Sequence, residues 1–183
     1  MAGRPRTFDR ETALTLAMER FWRDGYEATT VSKLTAEIGI TPPSLYSAFG
    51  DKDQLFAAAA GCYFDSVTAA MAQALNAPTA LEGVSRMLWS AAAAHTDPGS
   101  PPGCFMLTEP RLADSRARAR RQIAERLERG IAEGDLPAET SAADTAVFIV
   151  AVLSGMSTLA RDGGSYDDVG AIVRAALAAL PAD

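Results

Sequence analysis

The chain has 183 residues, of which 48% are hydrophobic and 7% aromatic, and its formal net charge is −6. A chain of this length forms one large domain or two smaller ones, and this apolar share is enough for a buried core. Abundant alanine and few aromatic residues favour helices over sheets. We therefore predict an all-α protein of about nine helices.

Membrane spans and secretory leaders are not expected. The sequence contains no run of about 18 apolar residues, and its start, MAGRPRTFDRE, becomes charged at once. A cytoplasmic protein is the natural expectation. The two cysteines, Cys62 and Cys104, do not form a disulfide framework, so both are expected as thiols and, most simply, as small buried residues.

The charge is unevenly distributed along the chain. Residues 1–50 carry six basic and six acidic groups, whereas residues 51–183 carry eleven basic and seventeen acidic groups. An acidic body would repel DNA, while a neutral segment with a basic start could approach it.

The first 50 residues are predicted to form three helices. Asp9 can cap the first, and Gly25 can end it in a left-handed conformation. A second helix fits 31–38, with Thr30 before it and Gly39 after it. Thr41 can cap a third, which has a proline at its first position and ends before Gly50.

The rest of the chain continues the helical pattern. Asp51 and Gln54 have the spacing of a capping box at the start of a long helix that extends to about Leu75. Five further helices are predicted over residues 79–95, 104–108, 112–133, 142–161 and 166–180, with a Pro- and Gly-rich loop at 97–103.

The segment TTVSKLTAEIGITPPSLYSAFGDKDQLF at 29–56 contains two short helices joined by a tight glycine turn, which is a helix-turn-helix. The residues suited to its core are Leu34, Ile38, Ile40, Leu45 and Phe49. The residues left to face a major groove are Thr41, Pro43, Ser44, Tyr46 and Ser47.

Over about 50 residues this region resembles the signature of the TetR family of transcription regulators. The matching residues are Gly25-Tyr26, Thr29-Thr30-Val31, Gly39-Ile40-Thr41, Ser44-Leu45-Tyr46, Phe49 and Lys52-Asp53-Gln54-Leu55. The resemblance implies a DNA-binding domain at 1–50 and a helical ligand-binding and dimerisation domain at 51–183. Ile38 and Ala48 depart from it, because many members have alanine at the first position and histidine or an aromatic residue at the second.

The resemblance also implies roles for single residues at the DNA. Thr30, Tyr46 and Lys52 are expected to contact phosphates, and at Lys52 the dipole of the fourth helix would add to the attraction of the phosphate. The expected base readers are Thr41, Pro43, Ser44 and Ser47. Arg4 and Arg6 could reach the minor groove or the backbone from a flexible arm.

In the C-terminal part, the resemblance implies a ligand pocket and a homodimer through the last two long helices. The candidate lining residues are Tyr63, Met87, Trp89, Cys104, Phe105, Met106, Phe148 and Met156. The same side chain types at helical spacing also fill ordinary cores. As a ligand site, such a lining suits a small, mostly apolar effector.

Two other features allow a choice of interpretation. His95, the only histidine, is expected on the surface or as a helix cap rather than as a metal ligand. Arg116, Arg118, Arg120 and Arg121 are expected on a solvated helix face, with a site for an acidic effector or for the partner subunit as the alternative.

The predicted function is a repressor that a small molecule releases from a palindromic operator. No nucleophile elbow, phosphate-binding loop or metal-ligand cluster is present in the sequence, so we expect neither an enzyme nor a cofactor. Two alternatives remain: a thiol-based redox sensor using Cys62 or Cys104, and a helical ligand-binding protein or enzyme that does not bind DNA. A protein that does not bind DNA would leave unexplained why Tyr46 and Lys52 stand at the positions of the family signature.

Overall fold

A computed structural model describes residues 8–180, which form nine α-helices, one short 3₁₀ turn at Pro110–Leu112 and no strand. This confirms the predicted fold class. The helices are α1 Arg10–Ala28, α2 Val31–Ile38, α3 Pro42–Phe49, α4 Lys52–Leu75, α5 Ala80–His95, α6 Phe105–Thr108, α7 Ala113–Glu133, α8 Ala142–Arg161 and α9 Tyr166–Ala179.

Side-chain caps set where the N-terminal helices begin. Asp9, Thr30 and Thr41 each accept a hydrogen bond from a backbone N–H in the first turn of α1, α2 and α3. Gly39 ends α2 with a φ of 76°, in the left-handed region that disfavours other residues. Gly25 interrupts α1 with a φ of 77° instead of ending it, since one more turn continues to residue 28.

The predicted capping box at α4 is present. The Asp51 carboxylate accepts from the Gln54 backbone N–H at 2.8 Å, and the Gln54 amide oxygen accepts from the Asp51 N–H at 3.0 Å. A second box joins Ser165 and Asp168 at the start of α9. Such boxes satisfy backbone donors that a helix N-terminus would otherwise leave unpaired.

The described part of the chain divides into two compact units that meet inside α4, between Tyr63 and Phe64. The domain boundary predicted from the sequence lies earlier, between residues 50 and 51, directly before α4. The helix α4 therefore belongs to both units, and the roles assigned to the two predicted domains stay predictions.

The first unit is built around α1. Phe21 is fully buried and packs edge-on against Phe56 with ring centroids 5.2 Å apart. Leu34, Leu45 and Leu55 are also fully buried. Of the five core residues predicted for the helix-turn-helix, Leu34, Leu45 and Phe49 are buried, whereas Ile38 and Ile40 are partly exposed.

The second unit is a helical bundle in which α5, α7, α8 and α9 pack on one another. Its fully buried side chains include Leu88, Ile123, Leu127, Ile149, Met156 and Val169. A buried arginine also joins three elements. The Arg126 Nε donates to the Leu75 carbonyl at the end of α4 at 3.0 Å, and its Nη2 lies 3.5 Å from Asp135, which accepts the Ala80 N–H at the start of α5.

By length and composition alone, α4 and α8 are apolar enough to cross a membrane, although the sequence was not expected to contain such a helix. Core helices of soluble proteins pass the same test, so this is weak evidence for a span. In α8, only 28% of the most apolar 18-residue stretch is buried inside the chain. Much of the α8 surface is thus left without cover from its own subunit.

The expectation that His95 lies on the surface was wrong. His95 is 4% exposed at the last turn of α5, and its Nδ1 is buried without a hydrogen-bond partner among residues 8–180. Burial lowers the pKa of His95 from 6.5 to about 4, because the protonated ring would lose its hydration. The imidazole is therefore neutral in the folded protein near pH 7.

This burial predicts an acid-sensitive fold. Between pH 6.5 and 4 the unfolded chain takes up a proton at His95 and the folded chain does not, so the free energy of unfolding falls as pH falls. The contribution is at most about 1.4 kcal/mol per pH unit. Urea unfolding at pH 7.5 and pH 5.0 should show a smaller loss of stability in His95→Gln than in the wild type. Equal losses would contradict the assignment.

Candidate DNA-binding and ligand-binding sites

The third helix has two opposite faces. Leu45 and Phe49 are buried in the core of the first unit, whereas Tyr46 is 48% exposed and Pro43 and Ser47 are exposed beside it. Because α3 has only 8 residues, the two buried side chains fix which face points outward. The structure thus brings the predicted base-reading residues together on one surface of a short helix.

Two of these residues also support the helix itself. The hydroxyls of Thr41 and Ser44 are 2.9 Å apart, and Thr41 caps α3 by accepting the Ser44 backbone N–H at 3.4 Å. A substitution at either position therefore disturbs the start of the helix as well as any base contact. Pro43 and Ser47 are the cleaner positions at which to test base reading.

Lys52 stands at the first position of α4 with its ammonium 4.0 Å from the centroid of the Tyr26 ring. The Tyr26 hydroxyl donates to Asp53 Oδ1 at 2.7 Å, which holds the ring in place. A cation at a helix N-terminus opposes the helix dipole, so the free protein gains little from this placement. A phosphate would be attracted both by the ammonium and by the N-terminal N–H groups. Tyr26 belongs to the sequence motif, but no role was predicted for it. The only sequence feature that could have pointed to such a role is its position as an aromatic residue next to Gly25.

Thr30 is exposed at the N-terminus of α2, and its hydroxyl accepts the Lys33 N–H at 3.2 Å. The Lys33 ammonium donates to the Ala28 carbonyl at 3.0 Å and contacts Asp24. Thr30 is therefore accessible for a phosphate contact, while Lys33 is anchored to the turn before α2.

Ion pairs join α1 to α2. Arg20 Nη1 lies 3.0 Å from one carboxylate oxygen of Glu37, and Arg23 pairs with the other. These contacts link the first two helices of the unit. Ala48, which departs from the family pattern, is half-buried. Arg4 and Arg6 lie outside the described residues.

The predicted ligand-lining residues do not form one group. Tyr63 belongs to the first unit, where its ring packs edge-on against Trp22 with centroids 5.0 Å apart. Phe148 is 40% exposed on α8. Trp89 is half-buried beside the N-terminal turns of α9, 6.1 Å from the Tyr166 ring. The remaining candidates, Met87, Cys104, Phe105, Met106 and Met156, are buried in the second unit.

The two thiols differ in environment. Cys62 is exposed on α4, contrary to the expectation that it is buried, and Cys104 is 4% exposed at the start of α6. The Cys104 backbone N–H donates to the buried Ser157 hydroxyl at 2.9 Å, which attaches the start of α6 to α8. An oxidant in solution would meet Cys62 directly and Cys104 only after local opening.

The arginine run at the start of α7 serves several purposes. Arg116 Nη1 donates to the carbonyls of Met106 and Glu109 at 2.9 and 2.8 Å and so ties α7 to the end of α6. Arg118 is exposed and lies over the Phe64 ring. The other two arginines of the run are exposed. Most of the run is therefore a solvated helix face, whereas Arg116 stabilises the contact between α7 and the end of α6.

Comparison with known proteins agrees with this arrangement. Residues 13–59 match the model of the bacterial regulatory proteins of the tetR family. The chain is 32% identical to the HTH-type transcriptional repressor ComR of Escherichia coli K12 over 90% of its own length and 85% of the relative's. The chain belongs to the TetR family. It is also 31% identical to the repressor BdcR of the same organism, over 91% of this chain and 86% of that one.

A solved structure extends the likeness to the whole described fold. A cysteine mutant of the TetR family regulator CifR, in complex with 26-bp double-strand operator DNA, is 38% identical to this chain, with a TM-score of 0.93 over 98% of this chain and all of that one. The relatives are transcription regulators. This TetR-family chain is accordingly a transcription regulator with an N-terminal helix-turn-helix.

The geometry around Lys52 predicts a uniform effect on DNA affinity. Because a phosphate contact carries no sequence information, Lys52→Ala should weaken binding to all duplexes by a similar factor. It should also make log K less dependent on log salt, by about one unit of slope if Lys52 neutralises one phosphate. Titration of labelled duplexes at several salt concentrations measures both effects.

Arg86→Ala, which removes an equal charge from an exposed position of α5, is the matched control and should change neither quantity. If Lys52→Ala keeps the wild-type affinity and salt slope, Lys52 does not contact phosphate.

Proposed function

We propose that the chain is a repressor that binds a palindromic operator as a homodimer and releases it when a small molecule binds the second unit. The observation that carries the proposal is the outward face of α3, where Tyr46 and Ser47 are exposed while Leu45 and Phe49 anchor the helix. A helix held in this way fits the major groove, and its neighbours Thr30 and Lys52 would hold the phosphates on either side. Acting on chromosomal DNA, such a repressor is cytoplasmic.

The dimer is supported by the uncovered surface of the last two helices. On α8, Val147 is 50% and Phe148 40% exposed, and Ala151 is exposed one turn further on. On α9, Ala171 and Ala175 are exposed at a spacing of one turn. An apolar face of this kind is typical of an isologous four-helix interface between two copies.

The proposed interface is best tested at a residue whose side chain is exposed in the single chain. Not every apolar residue of α9 is available to a partner, because Val169 and Val173 are fully buried within the subunit. A charge at Val173 would therefore disrupt the core of the monomer and would not test dimerisation alone. Phe148 is the better position, because its side chain is already exposed in the single chain.

The effector is proposed to be small and mostly apolar, as the soft, apolar side chains in the second unit suggest. A ligand releases the operator only if it binds the released state more tightly, and about 1.4 kcal/mol of preference is required for each tenfold loss of operator affinity. Because α4 belongs to both units, a shift of this helix would connect ligand binding in the second unit to Lys52, which lies at the start of α4 directly after the helix-turn-helix.

Selection of genomic fragments on the immobilised protein tests the proposal. The wild type should enrich an inverted repeat with half-sites separated by one helical turn, about 34–36 Å, or a multiple of it. Binding should weaken steeply with salt, since phosphate contacts release counterions. Phe148→Glu should be monomeric by light scattering at micromolar concentration and should lose at least a factor of ten in operator affinity.

The matched control is Ala132→Glu, which places the same charge on an exposed position of α7 and should stay dimeric and active. Failure to enrich any inverted repeat would refute operator binding. A wild type that is monomeric at micromolar concentration would refute the dimer.

A further inference from the structure

The backbone of α1 places the Tyr26 ring against the core of the first unit. Gly25 has a φ of 77° and a ψ of 166°, a combination that residues with a side chain rarely adopt, so α1 kinks at this point. After the kink, the Tyr26 ring stacks on Phe21 with centroids 6.0 Å apart and meets Phe56 edge-on at 5.1 Å. Phe21 and Phe56 are both buried, so Tyr26 rests on a rigid aromatic base.

The hydroxyl of Tyr26 anchors the ring to α4 as well. It donates to Asp53 Oδ1 at 2.7 Å, in the first turn of that helix. Asp53 follows Lys52 directly in the chain, but neighbouring residues of a helix do not face each other. The carboxylate is thus directed to the phenol, while the Lys52 ammonium lies 4.0 Å from the centroid of the ring.

The aromatic ring opposes two effects that would otherwise move the Lys52 ammonium away. Lys52 is the first residue of α4, where the partial positive charge of the helix N-terminus repels a cation. The lysine stem is also flexible, and its ammonium is strongly hydrated. The negative face of an aromatic ring attracts a cation within about 6 Å of its centroid. The ring therefore stabilises the ammonium beside the helix N-terminus before any DNA is bound.

This arrangement matters for a phosphate contact because an ordered charge binds more tightly than a mobile one. A free lysine side chain loses rotamer freedom when it contacts a ligand, whereas a side chain already held in place has little left to lose. The backbone at Tyr26 also supports the other proposed phosphate contact near it. The Thr29 backbone N–H donates to the Tyr26 carbonyl at 3.3 Å, and Thr30 follows at once as the cap of α2.

We infer that Tyr26 is a positioning residue for DNA binding, whose ring holds the Lys52 ammonium in place for a DNA phosphate. Tyr26 acts through Lys52 and not by a contact of its own with the DNA. The inference rests on the proposed phosphate contact of Lys52 and goes beyond it, because it states what determines the strength of that contact. Loss of the ring should accordingly lower DNA affinity only while Lys52 is present.

A double-mutant cycle measures this dependence. Phosphate contacts carry no sequence information, so a labelled duplex of mixed sequence serves as the probe. Tyr26→Leu keeps an apolar side chain and removes the ring, and should weaken binding about fivefold. In the Lys52→Ala background the same change should weaken binding less than about 1.5-fold, since the two residues act as one unit.

Two further variants separate positioning from general support of the fold. Tyr26→Phe keeps the ring face and loses only the hydroxyl, and should stay within about twofold of the wild-type affinity. Tyr166→Leu makes the same change as Tyr26→Leu at an exposed tyrosine of the second unit and should leave the affinity unchanged.

Each contrary result has a distinct meaning. If Tyr26→Leu costs the same factor with and without Lys52, its role is structural and the inference is wrong. The inference also fails if Lys52→Ala weakens binding while Tyr26→Leu does not. A silent Lys52→Ala would instead refute the proposed phosphate contact itself, and the inference with it.

NMR of the free protein gives a readout that does not depend on DNA. The ring current of Tyr26 should shift the ε-methylene protons of Lys52 upfield, because the ammonium lies over the ring face. Tyr26→Phe should keep this shift and Tyr26→Leu should remove it. Lys52 protons at ordinary positions in the wild type would overturn the inference, whatever the DNA titrations show.

Discussion

The proposed DNA-binding surface depends on the burial of two side chains, Leu45 and Phe49. A helix of 8 residues is too short to be stable alone, so α3 exists only because these residues dock it on the core of the first unit. Their burial also fixes the rotation of the helix and thus the outward direction of Tyr46 and Ser47. The Thr41 cap and Gly50 then set where the helix begins and ends.

What the sequence predicted well was local. Helix ends follow from caps and glycines within a few residues, and Thr30, Gly39, Thr41 and the Asp51 capping box all act as expected. The outward face of α3 was also predictable, since the spacing of apolar residues in a short helix defines two sides. Lys52 was identified as a candidate phosphate contact, but its placement over the Tyr26 ring arises from packing between α1 and α4 and needed the structure.

What the sequence could not predict was which apolar face meets which neighbour. The helices α8 and α9 are apolar on more than one side, so periodicity did not distinguish the buried Val173 from the exposed Phe148. His95 ends a helix next to a Pro- and Gly-rich loop, a position that favours exposure, yet the fold buries it. The hydrogen bond from Arg126 of α7 to the Leu75 carbonyl at the end of α4 joins residues that are 51 positions apart, and no local pattern reveals such a contact.

The central claim is that the exposed face of α3 reads base edges, and the base preference of Ser47→Ala tests it most directly. Selection from a randomised operator should give this variant an altered preference at one position of each half-site, with the phosphate-dependent salt slope unchanged. Ser47 is exposed and plays no part in the cap of α3, so the change should leave the helix intact. A variant with wild-type preference at every position, together with the same result for Pro43→Ala, would contradict the account.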